Sequence, residues 1–322
     1  HLQYTRNMVT GASTANLALI LVDVRRGVQE QTRRHAFIAS LLGIRHMVFC
    51  VNKMDLEGFA EDRFNAVRNE LGDFAGRLEV PDIHFVPISA QLGDMVVERG
   101  TNMPWYQGPT LMHLLENVHI GGDIDRIRRR FPVQTVVRHV GPDGPRRAIL
   151  GRVAGGVVRV GDPVLVLPGG RESTVQRIFV GLGEVDECFA PQSAAIELAD
   201  EIDVARGDMI TGVVHPPTLT QDLEVMVCWS NDRPLRAGDR LLLRQSTAAT
   251  PCLVKEVVYT MDINTLRKDE RNTTIPANGI GRVRLRTATP VAVDSYARNR
   301  TTGSLILIDE ATNATAGAGM VV

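Results

Sequence analysis

The sequence is short of the features that assign a chain at a glance. Only three of its 322 residues are lysines, Lys53, Lys255 and Lys268, so arginine supplies the other 33 of the 36 basic side chains. A coding bias of the source genome explains that imbalance better than function does. None of the three lysines follows a glycine. The sequence therefore lacks the Gly-x-x-x-x-Gly-Lys-Ser/Thr loop, whose backbone N–H groups and lysine cradle phosphates while its hydroxyl binds Mg2+. The four cysteines, Cys50, Cys188, Cys228 and Cys252, show no Cys-x-x-Cys spacing, and no signal-peptide pattern precedes them. That argues against a disulfide or metal framework and predicts buried, reduced thiols in the cytoplasm. The histidines show no metal-ligand spacing either, so no metal site is expected. The longest aliphatic run, Leu17 to Val22, is six residues, far below the ~20 that span a bilayer, so no membrane helix is expected. Acidic and basic residues nearly cancel, 37 against 36, for a net charge of −1. No global field draws the chain to nucleic acid or acidic lipid.

What is present is ordinary globular composition, 44% hydrophobic and 23% charged, at a length that predicts two or three domains of roughly 150 residues or fewer. The first 120 residues alternate strand and helix. Leu17 to Val22 is a continuous apolar run of the kind buried on both faces of a parallel sheet, and it ends in Asp23. Met47 to Val51 and Ile83 to Ile88 are two more such runs. Gln31 to Leu42 reads as a helix initiated by Thr32 and stopped at Gly43, and Ala60 to Leu78 places Phe64, Val67, Leu71, Phe74 and Leu78 at helical steps. Thr110 to Val118 is a further short helix. The order implies right-handed βαβ units and a covered parallel sheet, with the residues after each strand gathered at its carboxyl edge, where ligands bind.

Those residues are Asp23, then Asn52-Lys53-Met54-Asp55, then Ser89-Ala90. The Asp55 carboxylate can accept two parallel hydrogen bonds, and guanine offers a matching pair, its ring N–H and exocyclic amine, where adenine offers none. Lys53 can lay its methylene stem over a purine, and the Asn52 amide can tie the loop to neighbouring backbone. A pocket built to receive donors rejects an analogue lacking them by ~10⁴ or more, because the buried acceptor is left without a partner.

These motifs resemble the guanine-specificity elements of translation-factor-type GTPases, and His1-Leu2-Gln3-Tyr4 resembles the continuation of that family's Asp-x-x-Gly-His segment. The resemblance implies that Asn52, Lys53 and Asp55 read the base, that Ser89 and Ala90 close over it, and that His1 orients the attacking water. It also implies GTP as the nucleotide, with Mg2+ held by residues that this chain does not contain. The start has no initiator Met and reads as a chain cut from a longer one. Alone, then, it is expected to be inactive as a GTPase.

Closer still is the GTPase (large) subunit of heterodimeric ATP sulfurylase, which Gln31-Thr32-Arg33-Arg34-His35, Met261-Asp262-Ile263-Asn264-Thr265-Leu266 and Asn299-Arg300-Thr301-Thr302-Gly303 resemble most. That likeness implies a nucleotidyltransferase partner subunit that makes adenosine 5′-phosphosulfate from ATP and sulfate, driven by GTP hydrolysis. It also implies an adenylylsulfate kinase, fused or separate. Neither nucleic acid nor membrane is expected as a partner. A translation elongation factor delivering aminoacyl-tRNA is the alternative, and a bare binding scaffold the third.

From Phe131 the texture becomes β. Short β-branched runs separated by Gly, Pro and Asp turns are spaced as in barrels. Gly161-Asp162, Gly207-Asp208 and Gly238-Asp239 read as tight turns. Gly121-Gly122-Asp123 with Arg126, Arg128, Arg129 and Arg130 reads as a solvated linker. The expected organisation is multidomain α/β plus all-β: a P-loop GTPase domain lacking its phosphate-loop part over 1–125, a first β-barrel over 126–217 and a second over 218–322, an elongation-factor-like arrangement.

Overall fold

The computed structural model of the chain describes residue 8 and residues 11–119, 126–141 and 144–322. His1, Tyr4-Thr5-Arg6-Asn7 and Gly121-Gly122-Asp123 lie outside the described residues. By its contacts the chain divides into one unit of residues 1–121 with 261–268, and a second of residues 122–260 with 269–322.

The first unit is built on a three-stranded parallel sheet, β1 (Leu17–Asp23), β2 (His46–Asn52) and β3 (Asp82–Pro87), in that spatial order. Helices α1 (Glu30–Leu41) and α2 (Glu61–Ala75) make the crossovers, and α3 (Leu111–Asn117) follows. The central strand β2 is buried from Met47 to Val51, as its unbroken apolar run requires. β1 departs from expectation. Ile20 and Val22 are buried, but Leu19 and Leu21 are 40% and 61% exposed, because β1 pairs only with β2 and one of its faces is left open among the described residues.

α1 also starts differently. Gln29 takes the N-cap position without a side-chain bond, and Thr32 lies inside the helix, buried, rather than capping it. Gly43, at φ +69°, ends α1 in the left-handed region that glycine tolerates. The apolar face of α2, Phe64, Val67, Leu71 and Phe74, enters the same core. Thr110 caps α3 through its side chain, which accepts from the His113 amide at 3.3 Å.

The second unit holds two closed six-stranded rings. In the first, Ser193–Leu198, Gly144–Arg152, Arg130–Gly141, Met209–Gly212, Pro163–Leu167 and Arg171–Val180 pair in that order, and the last returns to the first. In the second, the order is Arg240–Gln245, Ser304–Ile308, Thr315–Val321, Thr218–Trp229, Ile280–Val293 and Ala248–Asp262, again closing on the first strand. Closure removes the free edges that an open antiparallel sheet would expose. Each ring has its own core, around Phe131, Ile178 and Ile196 in one and Val225, Leu243 and Leu285 in the other. All four cysteines are free thiols and buried. No helix among the described residues is long and apolar enough to cross a membrane.

Arg129 and Arg130 depart from the reading of this run as a solvated linker, while Arg126 is exposed as expected. The Arg130 side chain is 1% exposed and donates from Nε and Nη2 to the Asp294 carboxylate, at 2.8 and 2.9 Å, and from Nη1 to Thr211 Oγ1 at 3.0 Å. Thr302 Oγ1 donates to Asp294 Oδ2 at 2.6 Å. Neighbouring Arg129 reaches Asp162 Oδ1 at 2.9 Å. Charge-rich composition alone does not distinguish a solvated run from one whose cations meet carboxylates 33 and 164 residues away in sequence once the rings have formed.

Burial alone would raise the Asp294 carboxyl, but the hydrogen bonds from Arg130 and Thr302 outweigh it and hold it below the ordinary value. A depressed carboxylate contributes stability above its unfolded pKa of about 3.9 and loses it as pH falls through the lower folded value. Replacing Arg130 by Met should cost about 3–5 kcal/mol in urea unfolding at pH 7, since the Asp294 charge stays buried without its partner. Adding Asp294→Leu should restore part of that loss, and an additive double variant would show that the pair is not coupled.

Candidate functional site

The carboxyl ends of the three parallel strands place the chemistry. In the β1–β2 register Asp23 stands beside Asn52, and the pairing continues past the strands through bonds from Val24 N to Asn52 O, Ile88 N to Val51 O and Met54 N to Ile88 O, at 3.1, 2.8 and 3.3 Å. The loops after β2 and β3 are thereby held side by side. Asn52 Oδ1 accepts from the Lys53 amide at 2.7 Å and from the Ala90 amide at 3.0 Å. Lys53 takes up a left-handed backbone, φ 68° and ψ 34°, which costs a non-glycine residue about 1–2 kcal/mol and which the first of these bonds offsets. The chain then enters a single 3-10 turn, Met54–Glu57, anchored by the fully buried Met54.

Asp55 sits on that turn, partly buried. Its Oδ1 accepts from Ser89 Oγ at 2.6 Å, and Oδ2 receives no bond from a described residue. Ser89 is itself fully buried and also accepts from the Leu92 amide at 3.3 Å. Thus Asn52, Lys53, Asp55, Ser89 and Ala90 form one connected cluster. His1 lies outside the described residues.

Two contributors were given no chemical role by the sequence, although Asp23 was expected at the carboxyl edge. Asp94, 6% exposed, accepts from Asn102 Nδ2 at 3.0 Å, and its main-chain oxygen accepts from the Ser89 amide at 3.1 Å. Gly100, at φ +67°, passes so close that an added Cβ would lie 2.2 Å from Asp94 Oδ1, so only glycine fits there. The Gly93-Asp94 pair soon after Ser89 was the available signal. Asp23 is the other contributor: its Oδ2 accepts from Lys53 Nζ at 2.9 Å and from Arg25 Nη2 at 2.8 Å. The hydrogen bonds from Arg25, joined by the one from Lys53, outweigh burial, which would raise it, and hold the Asp23 carboxyl far below the usual carboxylate range.

The arrangement gathers the Asp55 carboxylate, the Lys53 ammonium and the Asn52 and Ser89 side chains at the carboxyl edge of the sheet. Comparison with known proteins bears on the family and the fold. The elongation factor Tu GTP binding domain family matches residues 1–126, and the GTP-eEF1A C-terminal domain-like family matches residues 222–322. Sulfate adenylyltransferase subunit 1 of Teredinibacter turnerae is 45% identical over 322 residues, covering 100% of this chain and 68% of that protein. The chain belongs to the sulfate adenylyltransferase subunit 1 family.

The bifunctional enzyme CysN/CysC of Mycobacterium tuberculosis is 48% identical over 324 residues, and the chain, matched over 100% of its length, spans 53% of that relative. The solved structure of Sup35 complexed with GDP shares the fold at a TM-score of 0.57 and 22% identity, over 98% of this chain and 80% of that one. The fold of this subunit 1 family member is therefore the elongation-factor-like one expected, an α/β GTPase-type unit followed by two β-barrels.

Asn52→Ala removes an acceptor shared by two loops. It should speed hydrogen exchange at the Lys53 and Ala90 amides and cost about 1–3 kcal/mol of stability, the range for leaving such groups without a partner. Unchanged exchange at Ala90 would mean that the 3.0 Å bond does not hold the second loop.

Proposed function

We propose that the chain is the guanine-recognising part of a sulfate adenylyltransferase GTPase subunit, which couples GTP hydrolysis to formation of adenosine 5′-phosphosulfate from ATP and sulfate on a partner nucleotidyltransferase subunit. The observation that carries this reading is the cluster around Asp55, where Ser89 Oγ orients one carboxylate oxygen at 2.6 Å and the other stays open. Asp55 then accepts the ring N–H and exocyclic amine of guanine, the Lys53 stem lies along the ring, and Asn52 keeps the Ala90 backbone in place beneath it. Oriented acceptors of this kind discriminate by leaving a wrong base without its partners.

The domain boundaries that accompany this reading are 1–125 for the GTPase part and 126–217 and 218–322 for the barrels. His1 is proposed to orient the attacking water. Mg2+ belongs with the phosphates of GTP. No group of three or more His, Cys, Asp or Glu side chains among the described residues is arranged to hold a metal, so no step on this chain is assigned to it. The four buried free thiols suit the cytoplasm. An adenylylsulfate kinase, fused or separate, would consume the product, a proposal suggested by the bifunctional name of the M. tuberculosis relative.

Two measurements test the reading. Asp55→Asn should weaken guanosine 5′-monophosphate by about 1–3 kcal/mol and favour xanthosine 5′-monophosphate, because the Asn amide offers a donor to the carbonyl that replaces the amine. Equal affinity of the variant for the guanine ligand would remove Asp55 from base reading. The barrels should bind the small nucleotidyltransferase subunit of an ATP sulfurylase in a sedimentation titration, with no binding of aminoacyl-tRNA at physiological salt. Tight tRNA binding with no subunit binding would transfer the case to an elongation factor.

A further inference from the structure

We propose that Asp23 is a positioning residue of the base site: by holding the Lys53 ammonium at 2.9 Å from the end of β1, its carboxylate fixes the lysine stem as the surface against which the guanine ring lies. The inference rests on the base-reading role proposed above for Lys53 and Asp55. The parallel register sets Asp23 beside Asn52, and the left-handed backbone of Lys53, the next residue, accompanies a side chain that reaches back to β1.

Asp23 cannot easily swing away. Arg25 donates to it from its amide, Nε and Nη2 at 3.0, 3.1 and 2.8 Å, and its side chain is 17% exposed against 42% for Arg25 and 47% for Lys53. A free lysine side chain carries rotamer entropy, which a ligand stacking on the stem would have to overcome. Tethering the ammonium beforehand lowers that cost, which is how preorganisation raises affinity without a new contact to the ligand. The main-chain oxygen of Asp23 separately accepts from the Arg26 and Gly27 amides, at 3.0 and 3.1 Å, and these turn bonds survive a change of side chain. Without the carboxylate, the Arg25 and Lys53 cations lose the anion between them and repel each other.

The test is a ligand-observed NMR titration of the chain with guanosine and adenosine 5′-monophosphates. It uses the unaltered protein, Asp23→Leu, Asp23→Asn, Lys53→Met and the Asp23→Leu/Lys53→Met double variant. Asp23→Leu should weaken the guanine ligand about fivefold, the scale of an exposed ion pair, and Asp23→Asn, which keeps an acceptor oxygen for Lys53, should recover part of that loss. In the Lys53→Met background Asp23→Leu should have no further effect, because its influence passes through the lysine. The same fivefold loss in that background, or none in Asp23→Leu while the unaltered chain prefers guanine, overturns the assignment. An unaltered chain with no preference for guanine over adenine overturns the base-reading role itself, and this inference with it.

Discussion

A single oxygen, Asn52 Oδ1, receives the amides that begin two loops, and the rest of the site depends on it. Lys53 and Ala90 are 37 residues apart in sequence, yet both donate to that atom, at 2.7 and 3.0 Å. Backbone bonds past the strand ends bring the loops alongside; the asparagine fixes their spacing. Asp55, on the short 3-10 turn, and Ser89, in the loop after β3, then meet at 2.6 Å. A site on loops is as precise as the bonds that tie the loops together, and here those bonds come from side chains at the carboxyl edge of a buried sheet.

Which parts of this were legible follows from the range of the interactions. The strands, the helices and the rings of β-structure announce themselves by local periodicity, so β2 and α2 lie where their apolar residues predict. The motif after β2 is contiguous, and its partners at Ser89 and Ala90 are fixed by the parallel order of the sheet. Local pattern failed where a property depends on what lies across the fold. Leu19 and Leu21 have the same apolar character as Ile20 and Val22 but face an open side of β1. Thr32 is a good cap in isolation, yet it is buried inside α1 because Gln29 and Glu30 already begin the turn. Arg130 is indistinguishable in sequence from its neighbours, and only the closed rings bring Asp294 to it. Asp23 was visible as a polar strand end, but its link to Lys53, 30 residues on, is set by register and by an unusual backbone angle at the lysine.

The two units spend polar groups differently. At the sheet edge of the first, the Asp23–Lys53 ion pair is part exposed, and the Asp55–Ser89 bond joins a half-buried carboxylate to a buried hydroxyl. In the second, Arg130, Asp294, Thr211 and Thr302 satisfy one another in near-complete burial. Exposed pairs of the first kind contribute little to stability and are free to serve recognition, whereas the buried set constrains how the strands carrying it are arranged.

The buried thiols have a practical consequence. Burial pushes Cys50 and Cys188 up to about 11, and Cys228 and Cys252 up to about 12. Reactivity follows the thiolate, so at pH 8 the two lower values leave only about one thiol in a thousand ionised, and the others fewer still. A cysteine introduced on the surface, with an ordinary pKa near 8.5, would outcompete all four natural ones for a maleimide. The wild-type sequence is thus already a background for attaching a single fluorophore or spin label, with no need to remove any native cysteine first.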